Sequence, residues 1–233
     1  NVFLTGGNGF VGGHVARAFC DAGARVFALV RPSSLPGPLD DLPVTIVRGE
    51  LTRPAEWHDV LHGCDVCIHA AALFAAPDRA QEMYAVNVRS AIGLLAACES
   101  AGVRRFVYTS TVGTAGRPAG GSIPNEDEPF SMWDRCSHYV RSKFLAEQAA
   151  LAWNGRRLEV VVVKPTAPVG RGDARPSATG RRIVAALSGQ ALPYPAGGIN
   201  FAPVQDVAAG HVLAAALGVA GQSYILGHRD GNL

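Results

Sequence analysis

The chain has 233 residues, of which 48% are hydrophobic, and its 21 Lys and Arg residues against 19 Asp and Glu residues give a formal net charge of +2. The basic residues are scattered along the sequence, which argues against nucleic acid as a partner. Charged residues, Gly or Pro interrupt every apolar run before it reaches the roughly 20 residues of a membrane-spanning helix, so we expect no membrane span.

Short β-rich apolar runs alternate along the chain with longer segments of helical periodicity, which predicts parallel strands joined by crossover helices. The predicted strands are Val2–Thr5, Arg25–Val30, Val44–Arg48, Val66–His69, Arg105–Thr109 and Leu158–Lys164. The predicted helices are Phe10–Ala22, Pro54–Leu61, Arg79–Ala101 and His138–Trp153, followed by helices near Ala178–Ser188 and Gln205–Leu217. The predicted fold class is therefore α/β, a Rossmann-type doubly wound parallel sheet.

Two later stretches break this alternation. Gly116–Pro129 is dense in Gly, Pro and acidic residues, which predicts a loop at the carboxyl end of a strand, where open α/β sheets build their sites. After Pro165 the helices are joined by Pro- and Gly-rich connections. We therefore predict a Rossmann domain over residues 1–165 and a smaller substrate-binding region over residues 166–233, interleaved with the core.

A glycine-rich segment, residues 5–12, follows the first predicted strand directly and leads into the first helix. Gly6 permits a tight turn, Gly9 lets the backbone approach a pyrophosphate, and Gly12 lets the helix lie close to the sheet. The helix N-terminus offers unpaired N–H groups to the anion. The segment predicts a dinucleotide site formed by Gly6, Asn8, Gly9, Phe10, Val11 and Gly12.

The second strand ends in Arg31-Pro-Ser-Ser34. An acidic residue there would bond the ribose hydroxyls of NAD, whereas a guanidinium near hydroxyls suits the 2′-phosphate of NADP. Arg31 and Ser33 therefore favour NADP(H), with NAD(H) as the alternative. Further cofactor contacts are expected where later strands end, at Glu50 and Leu51 and at the small residues Ala70, Ala71 and Ala72.

The fifth strand opens into Thr109-Ser110-Thr111, which places hydroxyls at the carboxyl edge of the sheet, and we expect Thr109 and Ser110 to contact the cofactor. Tyr139 and Lys143 follow at a spacing of four residues, which puts them on one helix face. An adjacent ammonium and an oxidised nicotinamide would lower the pKa of the phenol. We expect Tyr139 to transfer the proton, Lys143 to hold the nicotinamide ribose, and Thr111 to bond the reacting oxygen.

The five cysteines are odd in number and lie in apolar contexts, which indicates reduced thiols and a cytoplasmic location. Cys64-Asp-Val-Cys67 resembles a redox or zinc motif, but no second pair completes it, so two packed thiols are favoured. We expect no metal site.

Taken together, these motifs resemble the extended short-chain dehydrogenases/reductases, also called the NAD-dependent epimerase/dehydratase family. Further matching motifs are the pair Asn87-Val88 and Lys164-Pro165-Thr166. The resemblance implies that Asn87, Pro165 and Thr166 contact the cofactor, and that Thr111, Tyr139 and Lys143 are catalytic. It also implies a homodimer through a four-helix interface, with relatives that continue beyond Leu233.

Details of the motifs are most similar to hopanoid-associated sugar epimerases, and next to dihydroflavonol-reductase-like proteins. The substrate expected from the resemblance is a small molecule, either a nucleoside-diphosphate sugar or a ketone. Glu50 stands where the family usually has Asp, and residues 201–206 lack a His that is common there. Three functions stay open: an epimerase or dehydratase of nucleotide sugars, an NADPH-dependent carbonyl reductase, and a non-catalytic NADP(H) sensor.

Overall fold

A computed structural model of the chain describes residues 1–74, 76–118, 123–174, 176–190 and 198–228. Within them, seven strands form one parallel sheet in the order β3-β2-β1-β4-β5-β6-β9, and β7 and β8 pair separately. The strands are β1 Val2–Thr5, β2 Val26–Val30, β3 Thr45–Arg48, β4 Val66–His69, β5 Arg105–Thr109, β6 Glu159–Pro165, β7 Ala167–Val169, β8 Phe201–Pro203 and β9 Ser223–Leu226. The predicted Rossmann-type α/β class is confirmed.

Helices cover both faces of this sheet. They are α1 Phe10–Asp21, α2 His58–Leu61, α3 Ala80–Tyr84, α4 Ser90–Ala101, α5 His138–Trp153, α6 Ala178–Leu187 and α7 Val204–Leu217. On β6, Val160 and Val162 pack into the core under α4 and α5, whereas Val161 and Val163 pack into the core under α1 and α7. This alternation explains why β6 has a continuous apolar sequence.

The structure differs from the sequence predictions in several elements. The predicted helix Arg79–Ala101 contains a π-helical segment over Ala85–Arg89, and Pro54–Leu61 divides into a 3-10 turn, Pro54–Glu56, and the short helix α2. Strands β7, β8 and β9 were not predicted, because they have three or four residues each and are largely only half-buried. Parts of the predicted loop Gly116–Pro129 and of the region 166–233 lie outside the described residues.

Three of the cysteines, Cys64, Cys67 and Cys98, are buried together in the core under α4. Burial raises the pKa of the Cys64 thiol to about 11. Cys64 and Cys67 are therefore packed thiols, as the sequence favoured. No helix in the described part of the chain is long and apolar enough to cross a membrane.

Candidate active site

The glycine turn between β1 and α1 depends on the absence of side chains. Gly6 has a φ of +78°, and a Cβ on it would lie 2.6 Å from the backbone nitrogen of Ala71. A Cβ on Gly12 would lie 2.0 Å from the carbonyl oxygen of Gly6. Helix α1 starts after Gly9 with no side-chain cap and no acidic residue in its first turn. These features fit a dinucleotide pyrophosphate, which would accept hydrogen bonds from the first N–H groups of α1.

At the end of β2, Arg31 is exposed and its backbone closes a turn, in which Ser34 N donates to Arg31 O at 3.0 Å. Arg48, the last residue of β3, donates from its guanidinium to Arg31 O at 3.2 Å and to Ser34 O at 2.7 Å. Sequence reasoning missed Arg48. The available signal was the Arg at the end of β3, because β3 lies beside β2 and Arg31 directly follows β2. Ser33 is exposed in the same turn.

The loop after β3 is fixed by its own side chains. Glu50 N donates to Glu56 Oε2 at 2.7 Å, and the indole of the buried Trp57 donates to Glu50 O at 2.9 Å. Leu51 packs against the core. Glu50 and Leu51, which the sequence predicts as cofactor contacts, are thus held in a defined loop beside the end of β2.

At the end of β4, the buried His69 bonds to Thr5 Oγ1 through Nδ1 at 2.7 Å, and Ala71 N donates to the same hydroxyl at 3.3 Å. These contacts hold Ala70–Ala72 against the glycine turn. Burial lowers the pKa of His69 to about 3, and the nearby Lys143 acts in the same direction. His69 is therefore neutral, and its buried Nε2 has no hydrogen-bond partner among the described residues.

Asn87 lies in the π segment and is buried. Its side-chain oxygen accepts from Leu73 N at 2.7 Å, and its side-chain nitrogen donates to Leu73 O and to Ser142 Oγ, both at 2.9 Å. Asn87 thus connects the segment after β4 to α5. Because π segments are frequent at functional sites, this interruption of the helix agrees with a site nearby.

The three predicted catalytic residues come from two neighbouring elements. Thr111 precedes the 3-10 turn Val112–Thr114 and accepts from Gly113 N through its hydroxyl at 3.2 Å. Tyr139 lies in the first turn of α5, after Ser137, whose hydroxyl caps the helix by accepting from Val140 N. The Tyr139 ring packs edge-on against Phe74, with ring centroids 5.0 Å apart. Phe74 was also missed, although an aromatic residue after the small residues 70–72 was a visible signal.

Lys143 follows Tyr139 by four residues on α5, and only 2% of it is exposed. Its Nζ lies 4.3 Å from the centroid of the Tyr108 ring. Burial lowers the pKa of Lys143 to about 7, and the Glu147 carboxylate opposes this shift. Burial also raises the pKa of Tyr139 to about 12. Without cofactor, therefore, burial outweighs the lowering of the phenol pKa that the sequence analysis expected from the ammonium.

Among the remaining predicted residues at the strand ends, the hydroxyl groups form hydrogen bonds with other residues of the chain. Thr109 Oγ1 bonds to Nε2 of the buried His211 at 2.9 Å, and Ser110 Oγ donates to Glu147 Oε2 at 2.5 Å. Pro165 ends β6, and Thr166 Oγ1 donates to Leu226 O at 3.2 Å. Their side chains thus join β5 and β6 to neighbouring elements, and a cofactor contact from these residues stays a prediction.

A cavity of about 490 Å³ follows β6, next to β7 and α6. Its apolar wall includes Pro168, Val169, Ile183 and Val184. The carboxylate of Asp173, which also lines it, accepts from Ser177 N and Oγ, at 2.9 and 2.8 Å. The adjoining backbone contacts α1, where His14 Nε2 bonds to Arg171 O at 2.9 Å. The cavity therefore lies beside the helix that begins at the glycine turn.

The sequence predicts no metal site. Among the described residues, one group has ligand atoms within 4.8 Å of one another: His58, Asp59 and His62, around α2. None of these three residues belongs to the site described above.

The family model for the NAD dependent epimerase/dehydratase family matches residues 2–227. The chain belongs to this family. It is 37% identical over 233 residues to a protein of Synechocystis sp. named "Putative dihydroflavonol 4-reductase", covering 98% of this chain and 68% of that protein. It is 34% identical over 225 residues to "Sterol demethylase protein B" of Methylococcus capsulatus, an alignment that covers 96% of this chain and 68% of that protein.

Among solved structures, the chain is similar to that of gox2253, with a TM-score of 0.92 and 34% identity, covering 99% of this chain and 70% of that one. The chain thus spans about two thirds of the length of the relatives it matches. With its family, it is an NAD(P)-dependent oxidoreductase of the epimerase/dehydratase type.

Proposed function

We propose that the protein reduces a ketone on a mainly apolar small molecule, or oxidises the corresponding secondary alcohol, with NADP(H) as cofactor. The apolar cavity after β6 carries this choice between the open alternatives. The apolar side chains of Pro168, Val169, Ile183 and Val184, which form part of its described lining, would contact an apolar substrate. The two curated relatives support the choice, since they are named for a dihydroflavonol and a sterol.

The phenol of Tyr139 is the proton donor in this proposal. With a pKa of about 12, it is protonated at neutral pH and suited to donate to a carbonyl oxygen that becomes a hydroxyl. The bound nicotinamide supplies the hydride. The Thr111 hydroxyl bonds the reacting oxygen, and the Lys143 ammonium holds the nicotinamide ribose and favours proton release from Tyr139.

The reaction is tested by following NADPH consumption with a panel of flavanone, steroid and 3-oxoacyl ketones, and in parallel with UDP- and dTDP-sugars. We expect turnover with at least one apolar ketone, and a fall in kcat of about 10²–10⁴-fold in Tyr139→Phe. Tyr224→Phe, on β9, is the matched control. Conversion of a nucleotide sugar without net NADPH consumption would favour the epimerase instead. Equal, near-zero turnover of every substrate by the unchanged protein and by Tyr139→Phe would favour the sensor.

The preference for NADP(H) rests on Arg31, whose guanidinium is exposed beside the turn that Arg48 fixes. We expect Arg31→Ala to weaken NADP⁺ binding by about 10-fold or more while changing NAD⁺ binding little. Arg104→Ala, at the opposite end of the sheet, should change neither. Calorimetric titration measures both affinities, and tighter binding of NAD⁺ by the unchanged protein would contradict the proposal.

We also propose a homodimer in which α4 and α5 of two copies form a four-helix interface. Ile92 on α4 and Leu145 on α5 support this, since both are apolar and more than a third exposed on helices that pack against each other. Sedimentation should show a dimer that Leu145→Glu converts to monomer, whereas Leu187→Glu, on α6, should leave it intact.

A further inference from the structure

Lys143 and Lys164 are the only lysines in the sequence, and both are buried, with 2% and 4% exposed. An ammonium is rarely buried unless it is paired, because the charged form loses its hydration. The structure brings the two lysines to one acidic side chain, that of Glu147, which is itself 3% exposed. Glu147 took no part in the sequence predictions.

The contacts of Glu147 use both of its carboxylate oxygens. Oε1 lies 2.9 Å from Nζ of Lys164, on β6. Oε2 accepts from Ser110 Oγ at 2.5 Å and from Thr114 Oγ1 at 2.7 Å. A carboxylate buried with three donors is fixed in one orientation, since any movement would leave a polar group unsatisfied.

Two of these donors flank Thr111. Ser110 precedes it, and Thr114 ends the 3-10 turn. The single hydroxyl proton of Thr114 is shared between Glu147 Oε2 and Thr111 O, which lies 2.8 Å from Thr114 Oγ1. Both ends of the turn that presents the Thr111 hydroxyl are therefore attached to α5 through one carboxylate. Since Tyr139 and Lys143 are on α5, Glu147 connects the two elements that supply the candidate catalytic residues.

Glu147 also lies one helical turn after Lys143, where an i, i+4 pair shares one helix face. Burial lowers the pKa of Lys143 and the charge of Glu147 opposes this shift, while the Lys143 Nζ lies over the Tyr108 ring. From α3 and the π segment, Tyr84 and Asn87 bond to His138 and Ser142 of α5. The titratable groups around Lys143 are Tyr108 from β5, His69 from β4, Tyr139 and Glu147 from α5, and Lys164 from β6 across Glu147.

We propose that Glu147 is a positioning residue of this site: it fixes the turn that carries Thr111 and places a negative charge one helical turn from the buried ammonium of Lys143. This assignment rests on the proposed function for its catalytic meaning. Its electrostatic part can be measured without any substrate or cofactor.

The electrostatic part is tested with a matched pair of variants, Lys164→Met and Lys164→Met/Glu147→Gln. Both lack the Glu147–Lys164 ion pair, so they differ only in the carboxylate. Each contains one lysine, so labelling with ε-¹³C lysine gives a single resonance whose pH titration reports Lys143. We expect the midpoint to be lower in the double variant by about one pH unit or more, because an opposite charge has been removed. Equal midpoints would overturn this part of the proposal.

The anchoring part is tested with Thr114→Val, which removes one donor to Glu147 and keeps the carboxylate. We expect kcat to fall about 10-fold at nearly unchanged KM for NADPH, the Lys143 resonance to titrate normally, and Thr114→Ser to restore kcat. A Thr114→Val protein with full activity would overturn the anchoring role. If the unchanged protein turns over no ketone, the proposed function fails, whereas the lysine titration still decides the role of Glu147. If the double variant does not fold, Glu147→Gln is compared with the unchanged protein, the two lysine resonances being assigned with Lys164→Met, and equal Lys143 midpoints would again overturn this part of the proposal.

Discussion

Two neighbouring regions of this molecule depend on different kinds of interaction. The glycine turn between β1 and α1 is made of backbone, and it works because Gly6 and Gly12 leave no side chain between strand and helix. The region around Lys143 and Glu147 is made of buried ionisable side chains, in which Glu147 pairs with Lys164 and lies one helical turn from Lys143. The first depends on the absence of volume and the second on the balance of charge, so substitutions should affect them in different ways.

Gly12→Val should have the largest effect and tests whether the turn depends on volume alone. Its Cβ would lie 2.0 Å from Gly6 O, so the turn must open. We expect NADP(H) binding to weaken roughly 100-fold or more and stability to fall by about 1–3 kcal/mol. Gly93→Ala is the control, because a Cβ at that position of α4 would meet only Pro54 Cγ, at an ordinary contact distance of 4.0 Å, and we expect it to stabilise the protein by about 0.5–1 kcal/mol. Titration calorimetry and urea unfolding measure both effects, and normal cofactor binding by Gly12→Val would contradict the comparison.

Lys143→Met should show the opposite pattern in the charged region. The change retains volume and removes a buried ammonium, so we expect kcat to fall about 100-fold or more while stability is unchanged or higher. Lys164→Met should instead reduce stability, since it leaves Glu147 without its cationic partner. Urea unfolding and steady-state kinetics test the pair. A strong loss of stability in Lys143→Met would show that its charge is better compensated than the structure indicates.

The buried histidines add a pH dependence to the same region. Burial lowers the pKa of His69 to about 3 and that of His211 to about 4, so the unfolded chain, with a pKa near 6.5, binds protons first as the pH falls. The neutral histidines therefore do not reduce the free energy of unfolding above about pH 6.5. Between pH 6.5 and the folded pKa, each histidine lowers the free energy of unfolding by at most about 1.4 kcal/mol per pH unit as the pH falls. Urea unfolding at pH 7.5, 6 and 5 should show this loss, and His211→Leu should show a shallower one. Equal slopes in the two proteins would contradict it.

The smallest effect concerns the thiols behind α4. Cys64, Cys67 and Cys98 are buried, and burial raises the pKa of Cys67 well above its usual value. We expect iodoacetamide at pH 8 to modify Cys20 and Cys136 in the native protein and to leave the other three unmodified until urea is added. Peptide mass spectrometry identifies the modified sites. Rapid modification of Cys64 or Cys67 would show that this layer opens more readily than its packing indicates.

The sequence predicted the backbone-built region well because its information is local. Gly6, Gly9 and Gly12 follow an apolar strand directly and precede a helix, so the signal for the turn lies within a few consecutive residues, although Gly6 also packs against the distant Ala71. The six predicted strands of the sheet were found for the same reason. Strand β9 was missed because it has only four residues, all half-buried, and they show no alternation of buried and exposed positions.

The charged region could be predicted only in part. Tyr139 and Lys143 share a recognisable spacing, but the partners of Glu147 come from β5, the following turn and β6, which no spacing rule connects. The π segment around Asn87 could not be foreseen either, because its sequence continues the helical pattern on both sides. The pKa of Tyr139 depends on how deeply the phenol is packed, a property of the assembled fold.

The pairing of β7 with β8 has a consequence for how such proteins diversify. Its register joins Ala167 to Phe201 and Val169 to Pro203, so the chain leaves the core and returns to it at adjacent points. The connection between these strands, residues 170–200, therefore begins and ends on one short strand pair. Under the proposed function, engineering could replace this connection to change which ketones are accepted, while Thr111, Tyr139 and Lys143 are left unchanged.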